Sequence, residues 1–168
     1  MAIKATLCSI TKNDKVLLLR AARGINKGKW IMPGGKITQG ENSLQCAVRE
    51  VMEETGLLVS NLTYHGLLNI HENMDNEIRY AIHLFSTITF SGKLRVDGTA
   101  GEVDEVRWHP IRALPFKEMW KDDAIWIPRM LNGEKFDAHF YLDKENKNVV
   151  SFEFTTSSLQ VSGLRTEY

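Results

Sequence analysis

Residues 33–57 read PGGKITQGENSLQCAVREVMEETGL and combine a glycine-rich loop with a helical pattern. Four apolar residues recur at the i, i+3, i+4 and i+7 spacing of one helix face, namely Leu44, Ala47, Val48 and Val51. This periodicity predicts a helix over residues 42–55, and Gly56 is the residue type that most often ends a helix. The glycines before the helix let the backbone turn and approach a ligand closely. The stretch therefore predicts a loop that leads directly into an amphipathic helix.

The predicted helix carries a cluster of carboxylates beside its apolar face. Glu50, Glu53 and Glu54 fall within an arc of about 100° on an ideal helix. Like charges three and four residues apart repel, and only Arg49, four residues before Glu53, is placed as a counterion on the helix. A divalent cation would turn this repulsion into coordination, and hard oxygen ligands select magnesium or manganese. From the helix alone, a solvated acidic face is the alternative interpretation.

The loop before the helix differs from two common phosphate-binding loops. Gly35 and Gly40 have the separation found in a Walker A loop, but Glu41 stands where its lysine must be. The GxGxxG spacing of dinucleotide-binding domains does not occur. The spacing that does occur is Gly35, five residues, Glu41, seven residues, Arg49-Glu50-Val51, one residue, Glu53-Glu54, one residue, Gly56-Leu57. It matches the Nudix box at every defined position, so the chain resembles the Nudix hydrolases.

This resemblance implies both a fold and a chemistry. The implied fold is of the α/β class, an α/β/α sandwich with a central mixed sheet and the Nudix loop-helix-loop. The implied reaction is magnesium-dependent hydrolysis of a nucleoside diphosphate linked to another group, with manganese as a substitute metal. The implied metal ligands are the carbonyl of Gly34 and the side chains of Glu50, Glu53 and Glu54.

The resemblance also implies roles for the remaining residues of the box. The catalytic set is Glu50, which orients or deprotonates water, together with Glu53 and Arg49, which holds the glutamates in place. Gly35, Glu41 and Gly56 support the loop and the helix. A further loop carboxylate joins the site in this family, and both Glu102 and Glu105 are eligible.

A second segment points to the substrate class. Residues 114–128 are similar to the corresponding stretch of the MutT-like oxidised-purine nucleoside triphosphate diphosphatases, and the likeness covers most of residues 3–154. In that branch a tryptophan and an aspartate pair form the base pocket, which places Trp120, Asp122 and Asp123 there. An indole face stacks on a purine, and carboxyls in an apolar pocket can donate or accept hydrogen bonds at the base edge. The alternative is that the aspartates cap a helix and Trp120 fills the core.

One position departs from that branch. Its animal members carry an asparagine after the tryptophan that corresponds to Trp30, whereas this chain has Ile31 and lacks that amide. Ile31 is predicted to line the pocket, with Thr6 and Ile25 as weaker candidates by position. Positive charge for the phosphates is predicted from Lys36, next to the two glycines, and from a basic stretch that contains Arg20, Arg23, Lys27 and Lys29.

Alternation and turn residues predict the other elements. A hairpin is predicted from residues 2–10 and 15–20, further strands over residues 62–71, 78–90, 103–108, 136–142 and 149–155, and a second helix from Asp122 to about Gly133. Pro128 is predicted to kink that helix or to shift its start. Residues 1–155 are predicted to form one Nudix domain, and residues 156–168 a loosely attached tail.

Composition narrows the functional classes. The 168 residues contain 21 lysines and arginines against 21 aspartates and glutamates, so no net charge favours a nucleic acid polymer or a membrane surface. No apolar stretch is long enough for a membrane span, and cytoplasmic location is the expectation. Cys8 and Cys46 are predicted to be buried free thiols, and the five histidines are assigned no chemistry. A monomer is favoured, although the sequence leaves the oligomeric state open.

The hypothesis that follows is a magnesium-dependent pyrophosphohydrolase. It would convert purine (deoxy)nucleoside triphosphates to the monophosphate and pyrophosphate, and its substrates would include oxidised ones such as 8-oxo-dGTP. The implied role is sanitation of the nucleotide pool. Two alternatives stay open. One is the same chemistry on another nucleotide derivative such as ADP-ribose, and the other is a non-catalytic Nudix sensor that binds a nucleotide.

Overall fold

The structure, a computed structural model, describes residues 1–95, 97–99 and 101–156. Ten strands and two α-helices follow one another along the described chain. In order they are β1 (Ile3–Lys12), β2 (Lys15–Ala21), β3 (Trp30–Ile31), α1 (Ser43–Thr55), β4 (Leu57–Ser60), β5 (Thr63–His71), β6 (Ile78–Thr87), β7 (Thr89–Gly92), β8 (Val103–Pro110), α2 (Asp123–Leu131), β9 (Phe136–Leu142) and β10 (Val149–Thr156).

Eight of the strands form one mixed sheet. Its order is β10-β9-β5-β6-β1-β2-β3, and β8 also pairs with β2. The predicted hairpin is right only at its turn, because β1 and β2 pair just at Thr11↔Val16 and Lys12↔Lys15. The rest of β1 runs parallel to β6 from Ile3↔Tyr80 onward, and β2 pairs with β8 instead. Local alternation predicts each strand but carries no information about these distant partners.

The predicted strand over residues 78–90 is two strands. Ile88, which is 78% exposed, separates β6 from β7. Strand β7 pairs with β4, a strand that the sequence did not predict. The hydroxyl of Thr87 donates to the carbonyl of Ser60 at 2.6 Å and accepts the backbone N–H of Thr89 at 2.9 Å. These bonds turn the chain out of the large sheet and into the two-stranded one.

Helices cover both faces of the sheet. In β2, Val16 and Leu18 pack with α2 on one face, whereas Leu17 and Leu19 pack with α1 on the other. The predicted α/β/α sandwich is therefore confirmed. A capping box of Asn42 and Gln45 starts α1 one residue later than predicted, and Gly56, at φ 78°, ends it.

Helix α2 and strand β10 differ from their predictions by one or two residues. Helix α2 ends at Leu131, and Pro128 lies inside it without ending it. Thr156, the first residue of the predicted tail, is the last residue of β10, and residues 157–168 lie outside the described part of the chain. Cys8 and Cys46 are buried and free, as predicted. In the described residues, no helix has the length and hydropathy needed to cross a membrane.

Candidate functional site

The glycine-rich loop is fixed along the free edge of β1. Backbone hydrogen bonds run from Thr6 to the carbonyl of Gly35 at 2.9 Å and from Cys8 to the carbonyl of Pro33 at 2.8 Å. The fit is tight: a Cβ on Gly34 would lie 2.0 Å from the carbonyl oxygen of Thr6, and Gly34 has φ 155°. A Cβ on Gly35 would lie 2.4 Å from Oε1 of Glu50. Glycine at these positions lets the loop reach both β1 and the carboxylates of α1.

Arg49 gathers three glutamates around one guanidinium. Its Nη2 and Nε donate to the two carboxylate oxygens of Glu41 at 2.7 and 3.0 Å, and its Nη1 donates to Glu50 at 2.9 Å and to Glu53 at 3.0 Å. The hydrogen bonds from Arg49 hold the pKa of Glu41 well below its ordinary value. Glu41 in turn accepts the backbone N–H of Thr38 at 2.8 Å. Arg49 and Glu41 thus join the loop to the helix.

Glu54 lies between the helix and the loop. Its Oε2 accepts the backbone N–H of Gly34 at 2.9 Å. Burial, together with the charges of Glu50 and Glu102, raises the pKa of Glu54 to about 8 against the opposing effect of that hydrogen bond. Burial also raises the pKa of the half-buried Glu50, opposed by Arg49. These carboxylates carry an electrostatic cost that a cation would relieve.

The donor set fits a hard divalent cation in its chemistry. The carboxylates of Glu50 and Glu54 lie against the loop at Gly35 and Gly34, and carboxylate oxygens are ligands that magnesium and manganese prefer. Among the residues that the structure describes, however, no three carboxylate, histidine or cysteine side chains are already placed to hold a metal ion. Arg49 engages two of the three helix carboxylates, those of Glu50 and Glu53.

The two candidate loop carboxylates face different partners. Glu102 forms an ion pair with Arg23 and contributes to the electrostatic field at Glu54. Glu105, on β8, forms an ion pair with Arg107 and lies 4.0 Å from Arg20. Of the two, Glu102 is the one whose charge acts on the pKa of Glu54.

A cavity of about 300 Å³ opens beside the loop. Most of the predicted binding residues line it: Thr6, Ile25, Ile31, Gly34, Gly35, Lys36, Trp120, Asp122 and Asp123. Arg23 is not among the lining residues, because its exposed side chain is paired with Glu102. Thr6 lines the cavity, but its hydroxyl contacts the thiol of Cys46 at 3.5 Å.

Both aspartates at the start of α2 are buried at the cavity. The indole Nε1 of Trp126 donates to Asp122 at 3.1 Å, and the backbone N–H of Trp120 donates to Asp123 at 3.0 Å. Asp122 makes no side-chain capping bond to the helix, and Trp120 is only half-buried, which disfavours the capping and core-filling alternative. Burial raises the pKa of Asp122, and burial together with its neighbour Asp122 raises the pKa of Asp123 well above the usual range.

Three polar residues of the cavity escaped the sequence analysis. Asn26 lies in the glycine-rich loop after β2, Glu72 follows β5, and Asn146 lies in the turn between β9 and β10. Isolated polar residues in turns are ordinarily solvated, so no local pattern distinguishes these three. The basic and glycine-rich composition of residues 23–29 was the one available signal for Asn26.

Comparisons with known proteins agree with this arrangement. The family model of the NUDIX domain matches residues 1–130. The oxidized purine nucleoside triphosphate hydrolase of Danio rerio is 36% identical over 138 residues, or 80% of this chain and 83% of that protein. Its namesake in Mus musculus is 34% identical over 137 residues, again 80% and 83%. Among solved structures, the mutator MutT protein from Bacillus halodurans aligns with a TM-score of 0.77 at 22% identity, covering 90% of this chain and 97% of that one.

Proposed function

The chain belongs to the Nudix family of hydrolases, and we propose that it converts purine nucleoside triphosphates, oxidised ones among them, to the monophosphate and pyrophosphate with a divalent cation. The relatives in zebrafish and mouse are named for oxidized purine nucleoside triphosphates, which supports this substrate class. The expected partner is the free nucleotide. We also predict that the protein is a cytoplasmic monomer and that it does not bind nucleic acid polymers.

One observation carries the proposal. A single cavity is lined at once by Trp120, Asp122 and Asp123 and by Gly34 and Gly35 of the box. An aromatic ring with two buried carboxyls suits a purine, and the adjoining loop and helix carboxylates suit a polyphosphate with its cation. The cavity therefore offers a nucleotide both of the environments that it needs.

The cation would be held by the Gly34 carbonyl and by Glu50, Glu53 and Glu54. Glu102 is our choice for the additional loop ligand, because its charge acts on the pKa of Glu54. When bound, the cation neutralises charge on the phosphate oxygens and lowers the pKa of nearby water. Lys36, which lines the cavity beside the loop, adds a positive charge for the phosphates.

The chain's own residues then direct the hydrolysis. Glu50 lies against Gly35 and is held by Arg49, so its carboxylate is oriented toward the loop and accepts a proton from water. The water oxygen forms a new bond to phosphorus while the bridging P–O bond on that phosphorus breaks. Pyrophosphate and the nucleoside monophosphate leave as the two products. Arg49 keeps Glu50 and Glu53 oriented throughout.

A substrate panel tests the proposal. The purified chain with Mg²⁺ is given dGTP, 8-oxo-dGTP, ATP and ADP-ribose, and the release of pyrophosphate or of AMP is measured. We expect pyrophosphate from the purine triphosphates, no turnover by Glu53→Gln, and normal turnover by the control Glu153→Gln on the exposed strand β10. Turnover of ADP-ribose alone would replace the substrate class, and nucleotide binding without any turnover would indicate a sensor.

A further inference from the structure

Trp120 is held on three sides. Its indole Nε1 donates a hydrogen bond to Oδ1 of Asn26 at 2.8 Å, and the ammonium of Lys29 lies 4.6 Å from the ring centroid. Its backbone N–H donates to Asp123. The edge of the ring, one face of the ring and the backbone are therefore each fixed by a different residue.

The loop that supplies Asn26 is closed by its own backbone hydrogen bonds. The N–H of Gly28 donates to the carbonyl of Ala21 at 2.8 Å, and the N–H of Lys29 donates to the carbonyl of Asn26 at 2.9 Å. The N–H of Ala21 donates back to the carbonyl of Lys29 at 3.1 Å. Asn26 thus projects from a closed turn between β2 and β3, and such a turn can hold a second side chain in a defined place.

The two faces of the indole of Trp120 have different surroundings. Asn26 and Trp120 both line the cavity, whereas Lys29 does not. The ammonium of Lys29 covers one face of the ring, so the opposite face is the one available for stacking.

We propose that Asn26 is the positioning residue for Trp120, and that its hydrogen bond to the indole presents the free ring face to the purine of the substrate. This inference rests on the proposed function, because a stacking surface is useful only where a base enters the cavity. Fixing the ring before binding removes the cost of ordering it during binding. Since Asn26 lies at the base-binding side chain and not at the helix carboxylates, its loss affects KM far more than kcat.

A double-mutant cycle tests the proposal. Asn26→Leu removes the acceptor at similar volume, and Trp120→Phe removes the donor while keeping an aromatic ring. We expect Asn26→Leu to raise KM for purine triphosphates by about threefold to tenfold, as for the loss of one partly buried hydrogen bond, with kcat nearly unchanged. In the Trp120→Phe background the same substitution has no further effect on KM. The matched control is Asn132→Leu at the exposed end of α2, which leaves KM unchanged.

A spectroscopic measurement on the substrate-free protein separates this inference from the proposed function. In NMR spectra, the indole N–H resonance of Trp120 is assigned as the one that is missing in Trp120→Phe. We expect the chemical shift of this resonance to change in Asn26→Leu and to be unchanged in Asn132→Leu. If the wild type hydrolyses no triphosphate, the proposed function fails, while an unshifted resonance overturns the role of Asn26 whatever the turnover. An unchanged KM in Asn26→Leu, or an equal rise in both backgrounds, also overturns it.

Discussion

Gly35→Ala changes the contact between the loop and the carboxylate of Glu50. The added Cβ would lie 2.4 Å from Oε1 and 2.5 Å from Cδ of Glu50. Carbon and oxygen atoms that touch are ordinarily about 3.3–3.6 Å apart, so the carboxylate must retreat by about 1 Å. A displacement of about 1 Å at a catalytic group costs on the order of 100-fold in rate, and we expect kcat to fall by about that factor.

The fold tolerates this substitution. The carboxylate of Glu50 is the end of a flexible side chain, and Gly35 lacks the positive φ that would strain an alanine. The weakened bond from Arg49 to Glu50 is offset by about 0.4–1 kcal/mol from the lower entropy of the unfolded chain. We therefore expect the melting temperature to change by a few degrees at most. Gly34→Ala behaves differently, because its Cβ meets the backbone of Thr6 at 2.0 Å, and this variant should lose the native fold.

The assay is pyrophosphate release under saturating substrate, with thermal unfolding measured on the same samples. Gly35→Ala in a Glu50→Ala background serves as the control, because without the carboxylate the added methyl group has room. In that background the substitution should raise the melting temperature or leave it unchanged. Wild-type kcat in Gly35→Ala at an unchanged melting temperature would refute the placement of Glu50 as the base.

Three further predictions concern the pocket and the metal site. Burial raises the pKa of Asp122 above its ordinary 3.8, so the folded state binds the proton more tightly and its stability falls as the pH rises above that value. The melting temperature of Asp122→Asn should therefore increase relative to that of the wild type as the pH rises, and a constant difference would contradict this. Glu102→Gln should lower kcat by about 10-fold, and more than Glu105→Gln does in the same assay, whereas the reverse order would make Glu105 the loop ligand. Mg²⁺ at a hundredfold excess over its Kd should raise the free energy of unfolding of the wild type by about 2.7 kcal/mol and that of Glu54→Gln by less, and EDTA should reverse both effects. An equal increase in both proteins would show that Glu54 is not a metal ligand.

The elements that repeat a pattern locally could be predicted from the sequence. The bounds of β9 agree at both ends, and those of α1 and β5 each agree within one residue. The partners of β1 and the break at Ile88 could not be predicted, because the hydrophobic pattern of a strand does not show which distant strand it pairs with. Pro128 lies inside α2 and does not shift its start, which is at Asp123, because Trp126, Ile127 and Met130 of the helix are packed in the core.

The residues of the candidate site also fall into those that could be predicted from the sequence and those that could not. The residues of the box lie at fixed spacings along one loop and one helix, so their proximity follows from the sequence. Asn26 and Glu72 reach the cavity from separate turns, and only the folded chain shows that they line the same cavity as Trp120 and Asp122. The choice of Glu102 over Glu105 rests on its effect on the pKa of Glu54, and that proximity arises only in the tertiary structure.

The central place of β1 has a consequence for biosynthesis. This strand leaves the ribosome well before its parallel partner, which begins at Ile78, and its other edge is covered by the loop around Gly35. A nascent chain that stops before β6 would keep an apolar strand with one unpaired edge, the kind of surface that recruits chaperones or aggregates. Translation through Thr87 is therefore the earliest point at which the middle of the sheet can close, and shorter fragments that carry the whole box should be poorly soluble.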